Sequence, residues 1–466
     1  EAEPGEEREG GEDHGEHAYK VGSRSFDRKS LFFPGTFKRP TGISRRGVPM
    51  LREFELSDRE LSNQEIKTPR SPFSLLYDGK MPEDFILSKL PPKLIFSDAT
   101  NFHFPKKPPL VYDLGEPEIT YYIGENEDLL RWLIANGYSN RVQLVYIDPP
   151  YGTGSTFTIG ERGPDKRRAA TVSRPRDGVV GYSDSLDGPD FVEFLRVRLI
   201  LLRELLSETG LIFVHIDEKY GFEIKVIMDE IFGRNRFVNH ISRIASNPKN
   251  FRRKGFGSQK DMILVYSKGK DFVWNEVTSP YTEDDIARLF PLIDEHGERY
   301  TTNPLHAPGE TKDGPTGQPW RGILPPPGRH WRYPPEVLDE LDAKGLIVWS
   351  KNGVPRKKIY AKDHILKGKR MQDVWEFKDP IKPTYPTEKN LSMLKVIVQA
   401  GSNDGDLVLD AFAGSGTTLI AAGLLGRKAI GIDSSPEAAK AFVRRVVKEK
   451  GLKAKRTAII QVHHEK

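Results

Sequence analysis

The stretch "GDLVLDAFAGSGTTLIAAGLLGRKAIGID", residues 405–433, constrains the fold more than any other. A short apolar run ends on an acid. A glycine-rich turn follows, then an apolar segment of helical length, then a second apolar run that also ends on an acid. That is strand, turn, helix, strand: a complete βαβ unit. Its two strands must be parallel, because the crossover returns the chain to the same end of the sheet. Parallel strands are buried on both faces, so the rest of the chain has to supply neighbours and covering helices.

It does. "TYYIG" reads as a strand and "NEDLLRWLIANG" as a helix closed by Gly137. "VQLVYI" (142–147) is a doubly buried strand. "GPDFVEFLRVRLILLRELLSETG" reads as a long helix with Asp190 early and Gly210 at its end. "LIFVHID" is a strand ending at Asp217, and "KYGFEIKVIMDEIFG" a helix. After a gap, "EKNLSMLKVIVQAG" is a helix closed by Gly401, and a helix at 436–450 and the strand "AIIQVHH" finish the chain. The expected class is α/β: a mostly parallel, Rossmann-like sheet with helices on both faces.

The gap organises the domains. Between 239 and 380 the alternation gives way to short strands, one helix near 334–344 and much Pro, Gly, Arg and Trp, which reads as an inserted domain. Residues 1–18 read as an acidic disordered tail and 19–115 as an irregular extension. The α/β domain is then split into halves at 116–238 and 381–466. A chain of 466 residues is long for one core, which suits this division.

Composition narrows the setting. There are no cysteines, which excludes disulfides and thiolate metal sites, and no metal is expected. No apolar run reaches the roughly 18 residues that span a bilayer. The opening "EAEPGEEREGGEDHGEH" lacks the basic start and apolar centre of a leader. A cytoplasmic location is the expectation. The net charge of +5 understates the basicity beyond the acidic start. Basic residues crowd into "NPKNFRRKGFGSQK", "GVPRKKIYAK" and "LKGKRMQ". Several such clusters in one region point to a polyanion.

The glycine turn indicates a ligand. Gly414 and Gly416 let backbone approach it and aim a helix N-terminus at its negative group. The third glycine of a dinucleotide fingerprint is missing, and no phosphate-loop G-x-x-x-x-G-K-[ST] occurs. The next strand ends in Asp433, an acid placed for ribose hydroxyls. A nucleoside with a compact polar tail fits, and S-adenosylmethionine is one.

Here a family resemblance enters. "LDAFAGSGTT", "GIDSSP", "YPTEKN" and "YIDPPYGTG" together resemble the amino-directed DNA methyltransferases. The motif at 148–151 precedes the one at 410–416, which is similar to the circularly permuted order of the beta class. More narrowly, "GENEDLLRWL", "SQKDMILVYSKG" and "MQDVWEF" resemble the modification subunits of type III restriction–modification systems, over about 120–440.

The resemblance implies roles. Asp148 and the Pro149 carbonyl would accept the two N–H bonds of an exocyclic amine. Pro150 would stiffen the turn, and Tyr151 would stack on a flipped-out base. Asp410, Phe412, Ala413, Gly414, Gly416 and Thr417 would form the cofactor turn, and Asp433 would hold the ribose. Thr387 and Lys389 would reach the cofactor's carboxylate end. Glu125 and Asn126 stand where the family usually has Asp-Asn. Asp217 is a further candidate, or simply an acid capping the next helix.

The insert would recognise the target. Arg252, Arg253, Lys254, Lys357 and Lys358 are phosphate-contact candidates, and Arg321 and Arg332 are base readers. Trp320, Trp331 and Trp349 are expected in its core. By the same resemblance, Asp at position 148 favours N6-adenine in double-stranded DNA, since family members acting on adenine usually carry Asp there. An N4-cytosine enzyme, a non-catalytic DNA-binding subunit and an RNA methyltransferase stay open. The implied partners are a second copy of the chain and a separate restriction (helicase/nuclease) subunit.

Overall fold

In the computed structural model the described residues are 70–99, 118–150, 156–159, 179–183, 186–247, 254–381, 383–385, 388–449, 452 and 456–465. All belong to one compact unit, Lys67–Lys466. The acidic tail, most of the extension, and Tyr151, Arg252, Arg253 and Thr387 lie outside them.

Ten strands form the main sheet: β1 (Leu94–Asp98), β2 (Ile119–Ile123), β3 (Val142–Ile147), β4 (Leu206–Ile216), β5 (Phe237–Ile244), β6 (Lys260–Ser267), β7 (Val374–Trp375), β8 (Leu407–Asp410), β9 (Lys428–Asp433) and β10 (Thr457–His464). Their order is β1-β10-β2-β9-β8-β3-β4-β6-β5-β7. The six from β10 to β4 are mutually parallel. β6 runs antiparallel to both β4 and β5. Thus β8 and β9, from near the chain's end, fill the place between β2 and β3. β8 pairs with β3 at Val408↔Leu144 and Leu409↔Val145.

Alternation along each strand divides the core in two. On one face Val145, Ile147, Ile212 and Val214 pack against helices α1 (Asn126–Leu133), α2 (Gly188–Leu205) and α3 (Gly221–Phe232). On the other, Leu144, Tyr146, Leu211 and Phe213 pack against α4 (Leu391–Gly401), α5 (Thr417–Leu424) and α6 (Pro436–Lys448). This is the expected architecture, with helices on both faces.

Two expectations change. The α2 helix ends at Leu205, not Gly210, because Leu206 is already extended and paired with Val142. Gly210 is a strand residue, and a Cβ there would meet the Val142 carbonyl at 3.0 Å. Of the segment 239–380, β5, β6 and β7 lie in the main sheet. A smaller antiparallel sheet stands apart from it: Leu292–Ile293, Arg299–Pro304, Pro355–Tyr360 and Ile347–Trp349, in that order. It has its own core of Leu305, Trp320, Trp331, Leu338 and Ile347.

Within the extension, residues 83–88 form a short helix and β1 pairs along β10. Buried Arg131 donates to the carbonyls of Ile86 and Lys89, and Arg203 pairs with Glu83 at 2.8 Å.

Candidate active site

Both sequence motifs sit at the carboxyl ends of adjacent parallel strands, where open α/β sheets bind ligands. On the β8–β9 side, Asp410 is buried. The Phe412 N–H donates to its Oδ1 at 2.9 Å, and the Thr418 hydroxyl to its Oδ2 at 2.6 Å. Burial nevertheless pushes its pKa up to about 7, with Asp148 and Asp433 adding to the rise. Asp433 accepts the N–H groups of Gly414 and Ser435, at 2.8 and 2.9 Å, and burial raises it too.

The turn between them needs glycine. Gly416 has φ 72°, and a Cβ there would lie 2.2 Å from the Phe442 ring. The Tyr121 hydroxyl donates to the Gly414 carbonyl at 2.8 Å while its ring stacks on Phe442. Arg445 donates to the Ser415 carbonyl and to the hydroxyls of Ser415 and Thr417. It also pairs with Glu388 at 3.3 Å. Asn126 donates to the Ala411 carbonyl at 2.9 Å and accepts from Arg198 at 2.6 Å. Arg198 in turn lies 3.5 Å over the Phe194 ring. Glu125 is exposed at the start of α1.

On the β3 side, Asp148 follows the last residue of the strand. Its Oδ2 lies 3.1 Å from Lys389 Nζ, and both side chains are largely buried. Lys389, expected at the cofactor, therefore contacts Asp148, the acid expected at the target base. His215 is fully buried on β4, and its Nδ1 lies 4.0 Å from Asp148 Oδ1. The Tyr146 hydroxyl is 2.8 Å from the same nitrogen. His215 Nε2 lies 3.0 Å from Asp261 on β6, which Arg243 on β5 contacts at 3.1 Å. Arg243 is also fully buried, donates to the Phe377 carbonyl and pairs with Asp379. Burial alone would raise the Asp261 carboxyl, but His215 and Arg243 outweigh it and hold it below its ordinary value.

Sequence reading missed Tyr121, Arg198, His215, Arg243, Asp261 and Arg445. One signal was available: Arg198 stands inside the apolar run "LRVRLILL", where only a partnered charge can be buried.

Most of the remaining candidates have local partners. Asp217 accepts the Lys219 N–H at 3.0 Å, at the entry to α3. Arg321 pairs with Asp339 and Asp342 and lies over Trp320. Arg332 donates to the Pro304 carbonyl. Lys357 reaches the Tyr333 hydroxyl, Lys358 lies 5.5 Å over the Tyr300 ring, and Lys254 is exposed. Trp320 and Trp331 are core residues; Trp349 stacks on Trp320 but stays 41% exposed.

A family model described as DNA methylase matches residues 142–444. The type II methyltransferase M.EcaI of Enterobacter cloacae is 42% identical over 378 residues, covering 80% of this chain and 77% of that protein. The StyLTI Mod subunit, a type III restriction-modification protein of Salmonella typhimurium, is 29% identical over 341 residues, covering 64% and 48%. The EcoP15I Mod subunit of Escherichia coli is 24% identical over 426 residues, covering 76% and 62%. The chain thus spans about half to under two-thirds of these type III relatives.

Proposed function

Because the chain belongs to the N6/N4 DNA methylase family, we propose that it methylates the exocyclic N6 amine of adenine in double-stranded DNA. The methyl donor is S-adenosylmethionine. One observation carries the reading: β3 and β8 pair in parallel, so Asp148 and Asp410 share one end of the sheet.

The residues present fit the donor. Among the described residues, a Cβ at Gly414 would come within 4 Å only of Tyr385, at 4.0 Å. Asp433 accepts one backbone N–H on each oxygen, and a carboxylate oxygen can accept more than one. It would take the ribose hydroxyls. Phe412, Ala413, Gly414, Gly416 and Thr417 would flank the rest. When bound, S-adenosylmethionine supplies a methyl group activated by a sulfonium.

The protein's part is alignment and local electrostatics. The amine's lone pair is conjugated with its ring. Asp148 and the Pro149 carbonyl would accept its two N–H bonds and favour a pyramidal nitrogen whose lone pair faces the methyl. Lys389 keeps Asp148 in place. The base must leave the duplex to reach this site, and Tyr151 would stack on it. Lys357 and Lys358 on the smaller sheet, Arg321 and Arg332 next to its core residues Trp320 and Trp331, with Lys254 and the basic pair at 252–253, would hold the DNA. The same reading has the chain working as a homodimer, with any restriction carried by a separate subunit.

The test is radiolabelled methyl transfer to genomic DNA, followed by modification-aware sequencing. N6-methyladenine at one motif, abolished by Asp148→Ala, is the expected result. N4-methylcytosine would overturn the choice of base, and an active Asp148→Ala enzyme would overturn the site. Light scattering that finds an active monomer would remove the homodimer.

A further inference from the structure

A row of polar side chains crosses the target-base side of the sheet, on the face covered by α4. It begins at Asp148. Extending the β3–β4 register one step past Ile147↔Val214 sets Asp148 beside His215. Asp261 stands diagonally across from His215, whose direct partner is Ile263. Arg243 is directly opposite Asp261. Four neighbouring strands thus contribute one linked series: Asp148, His215, Asp261, Arg243.

Stability does not account for such a row. Buried ionic groups lose hydration, and apolar residues of similar size are often as stable or more so. Yet Arg243 and His215 are both fully buried. Arg243 contacts Asp261, Asp379 and the Phe377 carbonyl, and His215 lies 2.8 Å from the Tyr146 hydroxyl, 3.0 Å from Asp261 and 4.0 Å from Asp148. The series ends at Asp148, which Lys389 also contacts and which would face the target amine.

An ionised Asp261, 3.0 Å from His215 Nε2, can accept but not donate, which favours the neutral tautomer with its hydrogen on Nε2. Nδ1 then accepts from the Tyr146 hydroxyl and faces Asp148. The charged and titratable groups around His215 are Tyr146 and Asp148 from the β3 end, Asp261 and Arg243 from β6 and β5, and Lys389 on Asp148's other oxygen.

We propose that His215 is a positioning residue for Asp148 and, through it, the acceptor of the proton that the target amine loses. This rests on Asp148 being the target-base acid. The balance is simple. The amine nitrogen's lone pair forms the bond to the methyl carbon, and the carbon–sulfur bond breaks with its electron pair left on sulfur. The nitrogen now carries one proton too many. That N–H pair returns to nitrogen, and the proton passes to Asp148 and on to His215 Nδ1. Tyr146 turns its hydroxyl from donor to acceptor. Asp261, backed by Arg243, stabilises the imidazolium. The proton leaves by the same route when the product departs.

The experiment uses the full chain, S-adenosylmethionine and DNA bearing the unmethylated target motif, in single turnover from about pH 5 to about pH 9. Asp148→Ala is measured first: if it still methylates, the reading underneath has failed. If it is inactive, His215→Asn is decisive, because it keeps a polar atom near Nδ1 but cannot take a proton. Transfer should slow by about 100-fold, with cofactor and DNA affinities within about threefold, and the acid limb of the rate profile should disappear. Asp261→Asn is the second variant. It should slow transfer by about tenfold. In nitrogen-15 spectra of the protein without ligands, it should also shift the His215 hydrogen away from Nε2. If His215→Asn does not fold, Asp261→Asn carries the test alone. A soluble His215→Asn that works within about threefold of wild type, or one that slows with its acid limb intact, overturns the proposal. So does an Asp261→Asn protein whose rate and tautomer are unchanged.

Discussion

The acids on the two sides of the β8–β3 seam are held by different means. On the β8–β9 side Asp410 and Asp433 are fastened by backbone N–H groups and a hydroxyl. On the β3–β6 side Asp148 and Asp261 are fastened by Lys389, Arg243 and His215. Neutral donors fix direction without cancelling charge, so burial wins and both acids titrate high. Cations cancel charge, so Asp261 titrates low although it too is buried. A high-titrating acid beside backbone amides suits a neutral, hydroxyl-bearing ligand.

The contrast can be broken by variants. The largest effect belongs to Arg243→Leu, which leaves the buried Asp261, and the half-exposed Asp379, without their cation. We expect a loss of about 3–5 kcal/mol in urea unfolding. Next is Gly416→Ala, which puts a side chain at φ 72° and against Phe442. Strain and overpacking together predict about 2–4 kcal/mol and loss of cofactor binding by calorimetry.

The third variant concerns pH. Asp410 has a folded-state pKa of about 7 against an ordinary 3.8. Between these values the folded protein binds more protons than the unfolded one. Asp410 therefore makes stability fall as pH rises from about 4 to about 7, by at most about 1.4 kcal/mol per pH unit. Asp410→Asn should flatten this component in melts across that range. Asp261 acts oppositely: held low, it contributes stability above the ordinary carboxylate range that is lost as pH falls through its folded value. The smallest effect lies away from the seam. Lys358→Ala should weaken DNA binding at every sequence and lower the salt slope by about one, with melting unchanged.

How much of this the sequence could carry depends on the range of each interaction. β3 and β8 were legible because each is an apolar run ending on an acid, a pattern local to a few residues. The glycine turn was legible for the same reason. Gly210 misled because a glycine after a helical run reads as a stop, whereas Leu206 had already joined Val142. β5 and β6 read as parts of an insert, since nothing in their own periodicity says which sheet an antiparallel strand joins. Lys389 was recognised by motif and assigned a different contact, because its pairing with Asp148 is made only in the folded chain. Arg243 and His215 gave no local sign at all.

The seam also has a kinetic meaning. Tyr121 and Gly414, which share a hydrogen bond, are 293 positions apart in the chain. The β3–β8 pair closes a loop that contains the entire smaller sheet. Closing such a loop costs entropy before any contact compensates for it, and non-local parallel pairing is slow. During synthesis β3 and β4 emerge long before β8, with one flank of β3 still bare. The meeting of the β3 and β8 strand ends is thus among the last parts that can form, and no fragment ending before β9 can possess the whole of it.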